Sequence, residues 1–172
     1  MDVKSQLAGL SENDLREKVI MPMIDALGAF KTENFHGPNE KGKDVYFAYT
    51  DLFGLYKHCC VFIKKGDIRK GGRNDIRKME GAINEAILRD FVSPIDNQTR
   101  ISINEFCFIC SGKINKEARD YISDLCRKKY MPNIRIFDID DLVKIILEKV
   151  IDNSGYKFSI RNFKDFCRNK GR

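Results

Sequence analysis

The chain has 172 residues, of which 42% are hydrophobic and 33% are charged, and its formal net charge is +6. This length suffices for one domain with a single hydrophobic core. No hydrophobic run approaches the ~20 residues that a membrane-spanning helix requires, and the first residues lack the basic and then apolar layout of a signal peptide. We therefore expect a cytoplasmic protein, and the positive charge favours a polyanionic partner.

Six cysteines are present, and most of them lie within hydrophobic stretches. Without an export signal, reduced and buried thiols are a better interpretation than disulfides. Cys107 and Cys110 form a C-x-x-C pair, but a zinc site usually needs a second pair or nearby histidines, and the chain has only two histidines. Zinc binding is therefore the weaker alternative for this pair.

The first predicted helix begins after Ser11, which is a good N-cap, and ends at Gly28. Hydrophobic residues recur at helical spacing between them, from Leu15 to Leu27. Pro22 falls within this run, so we expect a kink or a locally broken turn there.

Three strands are predicted next, over residues 29–35, 42–49 and 59–67. The second and third are rich in β-branched and aromatic residues, and the turn at residues 51–54 joins them into a β-hairpin. The second half of the chain then alternates between the two kinds of element, with helices over 74–91, 116–128 and 140–152 and strands over 105–110 and 134–138.

The predicted order is α-β-β-β-α-β-α-β-α. Strand–helix–strand alternation predicts parallel crossovers, and the hairpin adds antiparallel strands. We therefore predict a mixed-sheet α/β sandwich with helices on both faces. It is expected to cover residues 1–152, followed by a basic C-terminal tail over residues 153–172.

Asp44 and Lys64 are the most informative residues, because each puts one charge into a stretch that is otherwise typical of an apolar strand. The hairpin brings this carboxylate and this ammonium to neighbouring strand ends. Together they can hold a divalent cation and steady a phosphate, which metal-assisted phosphodiester hydrolysis requires. The structural alternative is that Asp44 ends a loop while Lys64 packs its stem and extends its ammonium into water.

Basic residues follow closely after this pair. We interpret them as a phosphate-facing surface, against the alternative of a solvated loop; they are Lys65, Arg69, Lys70, Arg73, Arg77 and Lys78. A second basic cluster over residues 161–172 is interpreted as part of a solvated tail.

In element order and motif placement the chain resembles the PD-(D/E)xK restriction-endonuclease-like superfamily, especially its Mrr-type branch. The resemblance covers residues 11–151. Five stretches in the right order carry it: the first helix with Glu17, the segments Glu40-Lys41-Gly42-Lys43-Asp44-Val45 and Val61-Phe62-Ile63-Lys64-Lys65-Gly66, and residues 110–119 and 136–142.

This resemblance implies a restriction-endonuclease-like fold and a metal-dependent DNA endonuclease that acts in bacterial or archaeal defence or in DNA processing. It implies that Asp44 binds Mg²⁺ or Mn²⁺, and that Lys64 orients the attacking water or stabilises charge on the phosphorane. The family has Glu, Asp or Gln two positions before the lysine. Here that residue is Phe62, which cannot coordinate a hard cation.

The missing metal ligand then has to come from elsewhere. The candidates are the backbone carbonyl of Ile63, Glu17 on the first helix and Glu80 on the helix after the Lys64 strand. Glu17 ranks ahead of Glu80, so Asp44, Lys64 and Glu17 form the predicted catalytic set.

The implied partner is DNA, bound through its phosphates with little base specificity. A homodimer or a larger defence assembly remains open. The alternative function is a catalytically degenerate module of the same fold that binds nucleic acid or a protein partner.

Overall fold

The structure is a computed structural model, and it describes residues 2–35, 44–71, 75–77, 80–81, 84–85, 90–93, 98–129, 133–152 and 154–170. Its seven strands are β1 (Lys31–Asn34), β2 (Val45–Thr50), β3 (Tyr56–Lys64), β4 (Phe91–Val92), β5 (Arg100–Ile101), β6 (Glu105–Cys110) and β7 (Asn133–Phe137). Its helices include α1 (Val3–Ala8), α2 (Glu12–Leu15), α3 (Met21–Ala26), α4 (Lys116–Lys129), α5 (Ile139–Ile145) and α6 (Ile160–Lys170).

Helices α2 and α3 are joined without a break by a π-helical turn, Arg16–Ile20. Ser11 caps α2 by accepting the Asp14 N–H at 3.0 Å, and Gly28 follows α3 with a φ of 98°. The Met21 N–H donates to the Arg16 carbonyl, five residues back, immediately before Pro22. Proline has no N–H and its ring disfavours α-helical bonding to the preceding turn, so the irregular turn lies where the local break was predicted.

Five strands form one sheet in the order β1-β2-β3-β6-β7. Neighbours among β1, β2 and β3 pair antiparallel, whereas β3 pairs with β6 and β6 with β7 in parallel. The predicted mixed sheet, hairpin and parallel crossovers are thus confirmed. The antiparallel pair β4–β5 is an addition that the sequence pattern did not predict.

Part of the helix predicted over residues 74–91 is visible, since residues 76–77, 80–81 and 84–85 are helical and most of the others lie outside the described residues. Its predicted end is wrong by at least one residue, because Phe91 pairs with Ile101 in the β4–β5 ladder. The predicted last helix is α5, which continues as a π-helical turn over Ile146–Ile151.

The sheet separates two hydrophobic cores, because side chains alternate between its faces along each strand. Val61 and Ile63 of β3 face a core that also contains residues of α2, α3, α5 and α6. Cys60 and Phe62 of the same strand face a second core that contains Ala118 and Ile122 of α4. Helices on both faces of the sheet were predicted, and the two cores confirm them.

Residues 153–172, which we interpreted as a basic tail, contribute α6 to the first core. Phe163 and Cys167, four positions apart on this helix, are buried there. Arg161, Lys164 and Arg168 lie on its exposed surface. The basic composition therefore describes only the outer face of an amphipathic helix.

The five cysteines whose side chains are described are buried thiols, as predicted: Cys59, Cys60, Cys107, Cys110 and Cys167. Cys107 and Cys110 are three positions apart on β6, so they pack into opposite cores and do not converge on one tetrahedral site. Among the described residues, no helix is long and apolar enough to cross a bilayer.

Candidate functional site at the charged end of the sheet

The parallel strands β3, β6 and β7 end at one edge of the sheet, and the antiparallel strand β2 begins there. Asp44 directly precedes β2, and Lys64 is the last residue of β3. The turns after β3 and β6 contact each other, because Gly66 N–H donates to Ser111 Oγ and Ser111 N–H donates to the Lys64 carbonyl, both at 3.0 Å. The carboxyl ends of parallel strands are where open α/β sheets bind ligands.

Among the described residues, four charged side chains of the first long helix, the start of β2 and the end of β3 meet at this edge, and we refer to them as the charged end: Glu12, Arg16, Asp44 and Lys64. Two come from the first long helix and two from the sheet. They therefore depend on the docking of α2 and the following π-helical turn onto the ends of β2 and β3.

Asp44 is buried and engaged on both carboxylate oxygens. Its Oδ2 accepts the Ile63 N–H at 2.6 Å, and its Oδ1 lies 3.8 Å from a terminal nitrogen of Arg16. The Asp44 N–H also donates to the Val61 carbonyl at 2.9 Å. The Asp44 backbone thus extends the β2–β3 ladder, and its side chain takes the next N–H along β3.

Arg16 begins the π-helical turn, and its side chain is almost fully buried. It donates a hydrogen bond to Asn13 Oδ1 and lies 3.8 Å from the carboxylates of both Asp44 and Glu17. Its Nε is buried and has no hydrogen-bond partner among the described residues. One guanidinium thus lies at ion-pair distance from two carboxylates.

Lys64 pairs with Glu12, the first residue of α2. Glu12 Oε2 lies 3.4 Å from Lys64 Nζ, and Glu12 Oε1 accepts the Lys65 N–H at 3.0 Å. Our sequence analysis missed Glu12. The Ser11 cap identifies it as the first helical residue, but no local pattern indicates contact with a lysine 52 positions away.

Phe62, which the resemblance aligns with the family's acid or amide, belongs to the second core. Its side chain lies against Phe108 with ring centroids 5.6 Å apart, and only 7% of the residue is exposed. Lys64, two residues further and on the same face, places Nζ 5.3 Å from the Phe62 ring centroid. An aromatic ring with a cation above it therefore occupies this position.

The two predicted auxiliary acids lie in different places. Glu17 is more than half exposed and lines a pocket of about 240 Å³ together with Pro22, Lys164 and Arg168. Glu80 accepts a hydrogen bond from the hydroxyl of Tyr121 in α4 at 2.6 Å, which raises the pKa of Tyr121. Glu17 thus shares Arg16 with Asp44, whereas Glu80 is held by α4.

The described residues at this site do not supply the open oxygen ligands that a bound divalent cation requires. Of the two Asp44 oxygens, one accepts an N–H and the other faces a guanidinium, and Phe62 offers no oxygen. Mg²⁺ requires near-octahedral oxygen coordination, with one or two carboxylates exposed to it. In the described parts of the chain, no group of three or more His, Cys, Asp or Glu side chains could hold a metal ion. Ile63, whose carbonyl is a predicted ligand, donates its N–H to Asp44.

The basic segment after β3 is partly compensated by acids. Arg77 donates through Nε to both carboxylate oxygens of the buried Asp75, which lowers the pKa of that carboxyl well below its usual range. Arg69 lies 3.3 Å from Asp67 and is otherwise exposed. Lys65 and Lys70 have exposed side chains, and Arg73 and Lys78 lie outside the described residues.

The chain has an α/β fold with a five-stranded mixed sheet, and charged residues meet at the carboxyl ends of its parallel strands. Comparison of the chain with protein-family models, curated protein sequences and solved structures found no match. The interpretation of the site therefore depends on its own residues.

Proposed function

We propose that this chain is a nucleic-acid-binding module of restriction-endonuclease-like architecture, in which protein ion pairs have replaced the catalytic cation. The observation that carries this proposal is the packing of Phe62 against Phe108 at the position of the second metal ligand. The strand arrangement supports the architecture. An aspartate directly precedes β2, a lysine ends its antiparallel neighbour β3, and the sheet continues through the parallel pairs β3–β6 and β6–β7.

The pairing of Asp44 and Lys64 with opposite charges supports the replacement of a cation by protein ion pairs. A nuclease of this type needs Asp44 open to a cation and Lys64 open to a phosphate. Here the Arg16 guanidinium faces Asp44 at 3.8 Å, and Glu12 faces Lys64 at 3.4 Å. These contacts hold the helix onto the sheet, so the residues stabilise the fold without a metal.

The exposed cations next to this end support nucleic-acid binding. Lys65 and Lys70 lie in the segment that leaves β3, and the whole chain carries a net charge of +6. Contacts of this type neutralise phosphates and release counterions, which makes binding strongly salt-dependent and nearly independent of sequence.

The test is the affinity for a duplex DNA oligonucleotide, measured by fluorescence anisotropy at several salt concentrations. Changing Lys65 and Lys70 together to Gln removes up to two phosphate contacts, so the slope of log K against log salt should fall in magnitude by roughly 2. The matched control changes Lys144 and Lys157, which are exposed elsewhere, to Gln and should leave the slope nearly unchanged. Absence of DNA affinity, or equal slopes in both variants, would refute DNA binding.

A metal-dependent DNA endonuclease is the second candidate, and the position of Glu12 favours it. This carboxylate at Lys64 gives the charged end a second acid that Phe62 does not supply. Plasmid cleavage with Mg²⁺ or Mn²⁺ distinguishes the two functions. Our proposal expects wild type to cleave no faster than Asp44→Ala or Lys64→Ala; faster cleavage by wild type would establish the nuclease instead.

A Phe62→Gln variant sharpens this experiment, because it restores a residue type that the family has at this position. We expect it to lose the contact with Phe108 and to gain no cleavage, because Arg16 still faces Asp44. Metal-dependent cleavage by Phe62→Gln alone would show that Phe62 was the only obstacle.

A further inference from the structure

The turn between β2 and β3 exposes large hydrophobic side chains to solvent. Leu52 is 100% exposed, Phe53 88% and Leu55 62%. Single exposed hydrophobic residues are common on protein surfaces, but a contiguous group marks an interaction site. We call these three residues the apolar tip.

The tip has a defined backbone conformation. Asp51 Oδ1 accepts the N–H groups of Phe53 at 2.9 Å and Leu55 at 3.0 Å, and the Asp51 N–H donates to the Leu55 carbonyl at 2.9 Å. Gly54 has a φ of 79°, a conformation that glycine adopts readily. A turn fixed in this way presents its side chains at little further entropic cost on binding.

A strip of exposed hydrophobic residues, Tyr56, Phe30 and Leu27, runs from the apolar tip to the C-terminal end of α3. Tyr56 follows the tip and contacts Phe30 with ring centroids 5.0 Å apart, and Leu27 lies three residues before Phe30. Tip and strip together contain six of the eight exposed large hydrophobic residues in the described part of the chain. This clustering at one end of the sheet is the main observation for an interface.

The strip leads to an apolar pocket of about 310 Å³ on the first-core face of the sheet. Leu27, directly after α3, contributes to its lining, as do Phe47 of β2, Phe137 of β7 and Ile145 of α5. The charged residues in the lining are already paired, since Arg135 Nε lies 3.2 Å from Glu105, which also accepts the Tyr49 hydroxyl hydrogen bond at 2.8 Å. The pocket is large enough for apolar side chains and has no uncompensated charge among its described lining residues.

We propose that two copies of this chain form a symmetric dimer in which the apolar tip of each copy enters the apolar pocket of the other. The strip joins the tip to the pocket at Leu27, so a twofold axis can bury tip, strip and pocket twice. At roughly 200 Å² per aromatic side chain, Phe30, Phe53 and Tyr56 alone expose about 400 Å². The leucines and the pocket lining extend this towards the ~800 Å² per partner of a stable interface.

Charges at this end are compatible with self-association. Lys57 Nζ lies 3.4 Å from Asp51 beneath the tip, and Arg135 pairs with Glu105 at the pocket. A twofold axis brings identical residues near one another, and these internal pairs limit like-charge repulsion across it. The dimer does not depend on the proposed function, because the apolar tip and the charged end lie at opposite ends of β3. The start of this strand and Lys64 are about 26 Å apart.

Sedimentation velocity over a range of protein concentrations tests this proposal. We expect the wild-type protein to dimerise reversibly. The double change Leu52→Ser and Phe53→Ser should raise the dissociation constant of the dimer by roughly tenfold or more. Both residues are exposed, so the monomer should remain folded. Leu147→Ser removes an exposed leucine of the π-helical turn after α5 and serves as the control that should leave dimerisation unchanged.

Leu27→Lys places a charge at the pocket and should weaken dimerisation to a similar extent. An equimolar mixture of the tip variant with Leu27→Lys keeps one intact tip and one intact pocket, so it should associate more tightly than either variant alone. A monomeric wild type, or a dimer that Leu52→Ser and Phe53→Ser leave intact, would overturn the proposal. Weakening by the tip variant but not by Leu27→Lys, or a mixture without recovery, would overturn the insertion of the tip into the pocket.

Discussion

The two ends of the sheet differ in how far their prominent side chains contact the rest of the molecule. At the charged end, Asp44 and Lys64 each face an opposite charge from the first long helix. At the other end, Leu52 and Phe53 are exposed to solvent, and neither belongs to the two described hydrophobic cores. At the end with Asp44 and Lys64 the described charges face opposite charges within the molecule, whereas the other end exposes hydrophobic side chains.

This contrast teaches that residue type alone does not locate an interaction site. A buried charge with a partner contributes mainly to the geometry of the fold, because desolvation offsets much of the attraction. An exposed hydrophobic group is stabilised only when another surface covers it.

The largest effect is expected where the turns of the charged end contact each other. A Cβ at Gly112 would lie 2.3 Å from the Gly66 carbonyl carbon and 2.4 Å from the Asp67 nitrogen. Both are backbone atoms that cannot move without shifting the end of β3, so Gly112→Ala should lower the free energy of unfolding by about 3 kcal/mol or more. Urea unfolding measures this loss.

Gly81→Ala is the matched control, since a Cβ there meets nothing within 4 Å and the residue is helical. It should be neutral or stabilise the protein by up to ~1 kcal/mol. Equal stability of both variants would mean that the turns after β3 and β6 do not pack as described.

The next effect concerns the buried pair at the charged end. Asp44→Asn keeps an oxygen for the Ile63 N–H but removes the charge that faces Arg16. Because this leaves a buried guanidinium with the exposed Glu17 as its remaining described carboxylate, we expect a loss of about 3 kcal/mol. Adding Arg16→Met should recover part of that loss in a double-mutant cycle. Additive effects of the two changes would contradict coupling between Asp44 and Arg16.

The order of elements could be predicted from local patterns because each element is specified by nearby residues. Ser11 and Gly28 mark the first long helix, and the apolar, β-branched and aromatic run over residues 59–64 marks β3. Parallel and antiparallel pairing then follow from the connections. The amphipathic character of α6 was hidden by its basic composition, although Phe163 and Cys167 stand at helical spacing.

The candidate site could be predicted only in part, because its geometry depends on contacts between distant segments. The placement of Asp44 and Lys64 at one edge follows from the hairpin. Neither the arrival of Glu12 at Lys64 nor that of Arg16 at Asp44 follows from it, because both require the orientation of a helix on the sheet. Long-range docking of this kind leaves no periodic signal in the sequence.

A smaller effect is expected at the exposed pair of the charged end. Lys64→Met removes the contact with Glu12 while keeping an apolar stem over Phe62. Both partners are partly exposed to solvent, so the free energy of unfolding should change by no more than ~1 kcal/mol. Urea unfolding beside Asp44→Asn gives the comparison. A loss from Lys64→Met as large as that from Asp44→Asn would show that the two pairs are not different in kind.

The smallest effect concerns the pH dependence of the apolar tip. The N–H groups of Leu55 and Phe53 hold the pKa of Asp51 below its ordinary value of 3.8. A carboxyl whose folded pKa is depressed stabilises the fold above its unfolded pKa and loses that contribution as the pH falls through the folded pKa. The tip should therefore stay ordered at neutral pH and loosen only below pH 3.8.

An NMR titration of Leu27→Lys, which leaves the hairpin unchanged, measures this directly. The carboxyl carbon of Asp51 and the amides of Phe53 and Leu55 should titrate together, with a midpoint below 3.8. In Asp51→Asn these amide shifts should lose that titration, because the amide side chain has no charge to neutralise. A midpoint at or above 3.8 would mean that Asp51 does not fix the turn, and the tip would then have to become ordered on binding.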